Sequence, residues 1–159
     1  MIVASDRAAA GEREDDSGPV IQELIKSNLL NSELTAYQVL PDCMETLREH
    51  MIEMADRHRT DLLITIGGTG LSPGDVTPEA TRQVIDRIVP GMAEEMRRKA
   101  MKSSRKAMLT RAICGTRGNT LIINLPGSPE EATYCLESII DQVSNALHIL
   151  QGKSGVHSE

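Results

Sequence analysis

The chain has 159 residues, which suits one domain built around a single hydrophobic core. Hydrophobic residues make up 40% and charged residues 25%, and the formal net charge is -6, so the composition is that of a globular protein and argues against a general nucleic-acid binder. No apolar run approaches the length of a membrane span, and the apolar start at residues 1–4 is followed at once by charge, so we expect neither a membrane segment nor a signal peptide.

Apolar segments of strand length alternate with segments of helical spacing along the chain. In chain order, the predicted strands are residues 2–5, 34–40, 61–67, 107–113 and 120–126. The predicted helices are residues 17–30, 43–57, 78–88, 91–101 and 129–151. This alternation is typical of βαβ units and predicts a mostly parallel sheet with helices on both faces in residues 1–152. Residues 153–159 show no periodicity and are predicted to form a flexible tail.

The last predicted helix has the clearest amphipathic pattern. It begins with Ser128 as N-cap, Pro129 at the first helical position and Glu131 three residues after the cap, which together form a capping box. Its apolar side chains fall on one stripe that should face the core: Ala132, Leu136, Ile139, Ile140, Val143, Ala146, Leu147 and Leu150.

The stretch TIGGTGLSPGDVTPEAT places a glycine-rich loop, Gly67, Gly68, Thr69 and Gly70, directly after the buried strand at 61–67. Parallel sheets bind ligands beyond the carboxyl ends of their strands, and glycines there allow backbone N–H groups to approach a phosphate. Thr77 is predicted to cap the next helix, whose N-terminus also attracts anions. An ordinary turn remains the alternative, because the loop is neither a Walker loop nor a GxGxxG motif.

A second loop, NLPGSP, also follows a buried strand and also leads into a helix N-terminus. If the strands are parallel, both loops lie at the same rim of the sheet. The candidate site residues of this loop are Asn124, Pro126, Gly127 and Ser128.

Asp75 and Asp42 are the candidate carboxylates of this rim. A carboxylate beside a bound phosphate calls for a divalent cation, and Mg²⁺ prefers one or two carboxylates together with substrate phosphates. The alternative for Asp42 is an ordinary helix start with Glu45 three residues later. The opening segment SDRAAAGEREDDSG contributes Ser5, Asp6, Asp15, Asp16 and Ser17 to the rim, or is a polar loop that ends in an N-cap.

Basic residues concentrate between residues 97 and 117, where there is no Asp or Glu. They either form a solvated helix face and loop or attract a small phosphorylated ligand to a rim of this acidic protein. The eight are Arg97, Arg98, Lys99, Lys102, Arg105, Lys106, Arg111 and Arg117. The three cysteines form no CxxC pair, which indicates a reducing, cytoplasmic setting, and the four histidines lack zinc spacing.

Taken together, the segments SDRAAAGEREDDSGPVI, VLPD, LLITIGGTGLSPGDVTPEAT and MLTRAICGTRGNTLIINLPGSP and the C-terminal helix closely resemble the MoaB/Mog family of molybdenum cofactor biosynthesis proteins. The resemblance covers the chain from about Ser5 to Leu150 and is closest to the molybdopterin adenylyltransferase branch, which is similar to the G domain of gephyrin. It implies a three-layer α/β/α fold that assembles as a homotrimer.

The resemblance also implies an activity. Molybdopterin and MgATP would give adenylyl-molybdopterin and pyrophosphate, and a downstream molybdate-insertion enzyme would use the product. Asp42 and Asp75 match the family's functional aspartates and are predicted to be catalytic and to organise Mg²⁺. Residues predicted to bind the nucleotide or molybdopterin are Ser5, Asp6, Asp15, Ser17, Gly18, Gly67, Gly68, Thr69, Gly70, Thr77, Asn124, Pro126, Gly127 and Ser128.

Two departures from the family pattern keep other functions open. Relatives that adenylylate commonly carry Ser where this chain has Ala100, and they often have a proline-containing stretch where it has SSRKA. A non-catalytic molybdopterin-binding trimer of the MoaB type is therefore the alternative. Hydrolysis of a nucleotide pyrophosphate, as in the distantly similar CinA-type domains, is a further one.

Overall fold

The computed structural model describes residues 1–152, so the tail predicted at 153–159 lies outside the described residues. In that part of the chain the strands are β1 (Ile2–Ala4), β2 (Gln38–Leu40), β3 (Leu62–Ile66), β4 (Arg87–Ile88), β5 (Cys114–Arg117) and β6 (Thr120–Leu125). They form one sheet in the order β2-β1-β3-β6-β5-β4. The first four in this order pair in parallel, whereas β5 runs antiparallel to both of its neighbours. The predicted mostly parallel sheet is confirmed.

Helices cover both faces of the sheet and give three layers. On one face pack α2 (Ser17–Asn28), α5 (Pro90–Ala100), α6 (Pro129–Glu137) and α7 (Ile140–Leu150). On the other pack α3 (Met44–Ile52), which a π-helical turn at Glu53–Arg57 continues, and α4 (Thr77–Val84). A single-turn helix, α1 (Asp6–Ala9), follows β1. None of these helices is long and apolar enough to cross a bilayer.

The sheet separates two apolar clusters because successive strand residues point to opposite faces. In β3, Leu63 belongs to the cluster beneath α3 and α4, whereas Ile64 and Ile66 belong to the cluster beneath α2, α5, α6 and α7. Methionines such as Met51 and Met96 fill both clusters in a chain without Phe or Trp. Burying one such side chain contributes about 1.5–3 kcal/mol.

The strand predicted at 107–113 is wrong. The chain forms a 3₁₀ helix at Arg105–Leu109 instead, and the strand beside β6 is β5, which joins β6 through a tight turn at Gly118. Ser104 caps the 3₁₀ helix, and the N–H of Arg111 donates to the carbonyl oxygen of Thr69 at 2.9 Å. This segment therefore bonds to the glycine loop and not to a neighbouring strand.

Two further predicted elements are shorter than expected. The strand predicted at 34–40 is confined to β2, because β1, with which it pairs, offers three residues for pairing. The helix predicted at 78–88 ends at Val84, and β4 follows it and pairs with β5.

The helix predicted at 129–151 is two helices, α6 and α7. The break lies at Ser138 and Ile139, where the hydroxyl of Ser138 donates to the carbonyl oxygen of Cys135 at 2.6 Å. The turn buries Ile139 in the core. The predicted apolar stripe is confirmed, because all eight of its residues belong to or pack against one core cluster.

Candidate functional site

The loops with candidate site residues gather at one edge of the sheet. Strands β2, β1, β3 and β6 are adjacent and parallel, so their carboxyl ends point to the same edge. The opening segment leaves β1, the LPD turn leaves β2, the glycine loop leaves β3 and the LPGS loop leaves β6. We call this edge the rim.

Short hydrogen bonds connect the rim loops. The hydroxyl of Ser17 donates to the carbonyl oxygen of Gly127 at 2.7 Å, which joins α2 to the LPGS loop. The N–H of Gly67 donates to the carbonyl oxygen of Leu125 at 3.0 Å, which joins the glycine loop to the end of β6, just before the LPGS loop. A β-carbon on Gly127 would lie 3.4 Å from the α-carbon of Gly67. Loops from distant parts of the sequence thus form one continuous surface.

The opening segment is held mainly by helix caps. Ser5 accepts from the N–H of Ala8 at 3.2 Å and so caps α1. Asp15 accepts from the N–H groups of Ser17 and Gly18, the first two residues of α2, at 3.0 and 3.1 Å, so its carboxylate fixes the start of this helix. The hydroxyl of Tyr37, which the sequence analysis did not single out, donates to Asp15.

The glycine loop has the backbone that its sequence requires. Gly67 and Gly68 have φ angles of +97° and +63°, in the region that favours glycine. A β-carbon on Gly67 would overlap the carbonyl oxygen of Ala4. Within residues 1–152, the N–H groups of Gly68, Thr69 and Gly70 donate to no protein acceptor. Free N–H groups in a glycine loop at a strand end can bind a phosphate.

Thr77 differs from its predicted role. It is the first residue of α4 and not its N-cap, and its own N–H donates to the carbonyl oxygen of Gly68 at 3.1 Å. Thr77 is fully buried, and among the described residues its hydroxyl has no hydrogen-bond partner.

Three carboxylates lie close together at the rim. The Oδ2 atom of Asp42 accepts from the N–H of Asp6 at 3.1 Å, and Oδ1 of Asp6 accepts from the N–H of Asp42 at 2.9 Å. Burial raises the pKa of Asp42, the Asp6 N–H partly offsets this rise, and the negative charges of Asp6 and Asp75 add to it. Asp42 does not cap α3, so its interpretation as a simple helix start is wrong.

Asp75 is held within its own turn. Its Oδ2 atom accepts from the N–H of Ser72 at 2.8 Å and would lie 2.9 Å from a β-carbon on Gly70. Across residues 1–152, no three Asp, Glu, His or Cys side chains form a complete metal site. A cation at this rim would therefore take part of its coordination from a ligand, as Mg²⁺ does when it binds phosphates.

Asn124, which was predicted to bind a substrate, lies inside the protein and not at the surface of the rim. It is fully buried, and its Nδ2 atom donates to the hydroxyls of Thr65 and Thr81 at 2.8 and 2.9 Å. Its Oδ1 atom accepts from the N–H of Ile113 at 3.2 Å. The side chain joins β3, α4 and the segment before β5, so its role is to support the rim. Pro126 is likewise buried, whereas Gly127 and Ser128 are exposed.

Replacing Asn124 by Leu is expected to destabilise the protein by about 2–4 kcal/mol, because it leaves buried polar partners without hydrogen bonds. Urea unfolding followed by circular dichroism measures this loss. Asn145→Leu, on the exposed face of α7, is the matched control and should change stability by less than about 0.5 kcal/mol. Equal effects of the two substitutions would contradict the supporting role of Asn124.

Arg111, one of the eight residues of the basic segment, holds the rim together, a role that local sequence patterns did not indicate. Its Nε donates to the carbonyl oxygen of Gly70 at 2.7 Å, and Nη2 donates to that of Asp75 at 2.6 Å. Its Nη1 forms an ion pair with Glu79 on α4. One guanidinium thus fixes the glycine loop, the Asp75 turn and the start of α4.

The rest of the basic segment supports both interpretations in part. Arg98 forms an ion pair with Glu95, and Arg117 forms one with Asp56, as on an ordinary charged surface. Arg97 donates to the carbonyl oxygen of Ala112 at 2.9 Å. Arg97 and Arg111 also line a cavity of about 360 Å³ beside the rim, so part of the positive charge lies close to the candidate site.

Two other features lie apart from the rim chemistry. A cavity of about 720 Å³ opens at the opposite edge of the sheet, where β1 and β3 begin, and Met1, Asp61 and Leu62 are among its lining residues. Burial raises the pKa of the Cys114 and Cys135 thiols to about 12 and about 11, so neither is a thiolate at neutral pH.

The rim can therefore position phosphate groups without a covalent nucleophile. The rim contains glycine-loop N–H groups without acceptors in residues 1–152, neighbouring carboxylates and a buried hydroxyl. These are the groups that phosphoryl-type transfer needs, since its catalysis consists mainly of positioning and charge neutralisation.

Comparisons with known proteins agree with this chemistry. The family model MoCF_biosynth, described as a probable molybdopterin binding domain, matches residues 1–145. The molybdopterin adenylyltransferase of Helicobacter pylori strain J99 is 38% identical over 96% of this chain and 86% of its own length. The molybdopterin adenylyltransferase of Escherichia coli K12 is 33% identical over 92% of this chain and 75% of its own length. The structure of the molybdopterin biosynthesis enzyme MoaB from Thermus thermophilus is similar, with a TM-score of 0.89, 41% identity and coverage of 95% and 94%.

Proposed function

The chain belongs to the MoCF_biosynth family, and we propose that it is a molybdopterin adenylyltransferase that uses ATP and Mg²⁺ in molybdenum cofactor biosynthesis. The observation that carries the proposal is the rim itself, where the N–H groups of Gly68, Thr69 and Gly70, which have no acceptor in the part of the chain that the structure describes, lie beside Asp42 and Asp75. The curated relatives named molybdopterin adenylyltransferase support the choice of substrates.

In the proposed reaction, a terminal phosphate oxygen of molybdopterin attacks the α-phosphorus of ATP. A new P–O bond forms, the bond from the α-phosphorus to the bridging oxygen breaks, and pyrophosphate leaves with the electron pair. The attacking phosphate is already an anion, so the protein supplies no covalent nucleophile. Its task is to align two phosphate-bearing substrates that repel each other.

The residues of the rim divide this task. The glycine-loop N–H groups bind ATP phosphates, and the LPGS loop, whose Gly127 and Ser128 are exposed, contacts the nucleotide. Ser17 holds that loop against α2 through its bond to Gly127. Arg111 keeps the glycine loop and the Asp75 turn in register. The remaining opening residues line the molybdopterin side.

Asp42 and Asp75 organise Mg²⁺ and the reacting phosphates in this proposal. The carboxylate of Asp42 is suited to bind a cation, because its Oδ1 atom is buried and has no hydrogen-bond partner within the described chain. When bound, Mg²⁺ neutralises phosphate charge and favours departure of pyrophosphate. We further propose a homotrimer in the cytoplasm that passes its product to a molybdate-insertion enzyme; sedimentation velocity would measure the assembly.

The alternative is a molybdopterin carrier without chemistry, suggested by Ala100 in place of the Ser of adenylylating relatives. Ala100 is only 5% exposed and packs in the core cluster beneath α5 and α6. Its methyl group is therefore not placed at the rim surface, so Ala100 gives this alternative little support.

A turnover assay tests the proposal. Purified protein, molybdopterin, ATP and Mg²⁺ should give pyrophosphate and adenylyl-molybdopterin in equal amounts, and omission of any component should stop both. Tight binding of molybdopterin without ATP consumption would identify a carrier instead. Hydrolysis of ADP-ribose would identify a nucleotide pyrophosphatase.

A further inference from the structure

Two buried oxygen atoms that have no hydrogen-bond partner among the described residues lie next to Gly68 at the rim. They are Oγ1 of Thr77 and Oδ1 of Asp42, and within residues 1–152 neither has a donor or acceptor in reach. Thr77 is fully buried. Leaving a buried polar group unpaired costs about 1–3 kcal/mol, more for a charged one. Two such atoms at one place indicate a site that a ligand completes.

Gly68 keeps the space between the two atoms open. A β-carbon on Gly68 would lie 2.9 Å from Oδ1 of Asp42 and would overlap Oγ1 of Thr77. The two oxygens therefore border the volume of one missing methyl group. Both oxygens therefore lie next to the same glycine, and Mg²⁺ takes oxygen ligands of this kind at about 2.0–2.1 Å.

The charges around this gap favour a cation over an anion. The carboxylates of Asp6 and Asp75 both act on Asp42, and the N–H of Asp6 occupies its other oxygen, Oδ2. A phosphate oxygen placed here would meet negative charge. A hydroxyl and a carboxylate are instead hard oxygen ligands of the kind that Mg²⁺ accepts.

Asp75 is less suited to direct contact. Its Oδ2 atom accepts from the N–H of Ser72 and lies next to Gly70, whereas Oδ1 of Asp42 and Oγ1 of Thr77 lie next to Gly68. Its carboxylate can still lower the potential at the gap through space.

We propose that Asp42 Oδ1 and Thr77 Oγ1 are the two protein oxygens that contact Mg²⁺, and that Asp75 acts on the metal only through space. This inference rests on the proposed function, because it takes Mg²⁺ to arrive with ATP. It assigns the buried hydroxyl of Thr77 to the metal and not to the nucleotide.

Isothermal titration of ATP, in Mg²⁺ and again in EDTA, tests the assignment on wild type, Thr77→Val and Thr77→Ser. The Kd for ATP in EDTA divided by the Kd for ATP in Mg²⁺ measures how strongly the metal and ATP favour each other's binding. Thr77→Val should reduce this ratio about 10-fold and leave the Kd in EDTA unchanged. Thr77→Ser, which keeps the hydroxyl, should restore most of the ratio.

Thermal unfolding without metal checks that the effect is not structural. Val replaces a hydroxyl that has no partner among the described residues, so the metal-free variant should be at least as stable as wild type. Thr116→Val on the distant strand β5 is the matched control and should leave the ratio unchanged.

Each other result overturns the assignment. An unchanged ratio in Thr77→Val would exclude contact with Mg²⁺, and an equal loss of affinity in Mg²⁺ and EDTA would place the hydroxyl on the nucleotide. In both cases turnover by wild type would leave the proposed function standing. If wild type bound no ATP under either condition, both proposals would fail.

Discussion

Replacing Asp42 by Asn should lower turnover by about 10²–10³-fold, which corresponds to the loss of one well-placed charge in the transition state. The side chain of Asn has nearly the same shape, and its amide oxygen can still accept from the N–H of Asp6. In wild type this N–H lies 3.1 Å from Oδ2 of Asp42. It lacks the charge needed to hold Mg²⁺ beside the phosphates. Steady-state release of pyrophosphate measures the effect. Asp75→Asn should reduce turnover for the same electrostatic reason.

The stability of Asp42→Asn distinguishes lost chemistry from lost structure. Burial and neighbouring carboxylates raise the pKa of Asp42, so the folded state binds its proton more tightly than the unfolded state. Keeping this group ionised therefore costs stability at neutral pH, and the cost disappears as the pH falls through the raised pKa and below the ordinary one. The variant should have a Tm at or above that of wild type at pH 7, and the difference should close on acidification.

Asp61→Asn is the control, because Asp61 is an exposed carboxylate at the amino end of β3, on the opposite edge of the sheet. It should keep wild-type turnover. If both Asp42→Asn and Asp75→Asn turned over like wild type, the carboxylates would have no part in the reaction and the proposed mechanism would be wrong.

The position of the rim was predictable because it follows from local patterns and one general rule. Continuous apolar strands indicated a parallel sheet, and parallel strands place their following loops at one edge. Asp42, Gly67 and Gly127 were therefore placed correctly from the end of the strand that precedes each of them.

Features that depend on contacts between distant residues were not predictable in this way. Asn124 looked like a rim residue because it sits near a strand end, but its partners are Thr65 and Thr81, far away in the sequence. The segment 107–113 has the composition of a strand, yet Arg111 ties it to the glycine loop. Such tertiary bonds override local propensity and leave no periodic pattern.

Arg111 gives the second large effect, through backbone position and not through substrate contact. Arg111→Met should leave the carbonyl oxygens of Gly70 and Asp75 and the carboxylate of Glu79 without their donor. We expect a loss of about 1–3 kcal/mol in stability. At temperatures where the variant is folded, we expect turnover to fall about 10²-fold, since small displacements of positioned phosphates are costly. The KM for ATP should rise, because the glycine loop is what Arg111 holds.

Arg111→Lys separates positioning from charge. Lys keeps the positive charge but cannot match the planar fork that reaches two carbonyls and a carboxylate together, so it should recover little of the turnover. Arg98→Met removes an exposed arginine that pairs with Glu95, and it should leave both the stability and the KM for ATP unchanged. Full recovery by Arg111→Lys would mean that positive charge near the rim, and not the geometry of the loop, is what the reaction uses. An unchanged KM and kcat in Arg111→Met would instead show that the glycine loop keeps its functional shape without this clamp.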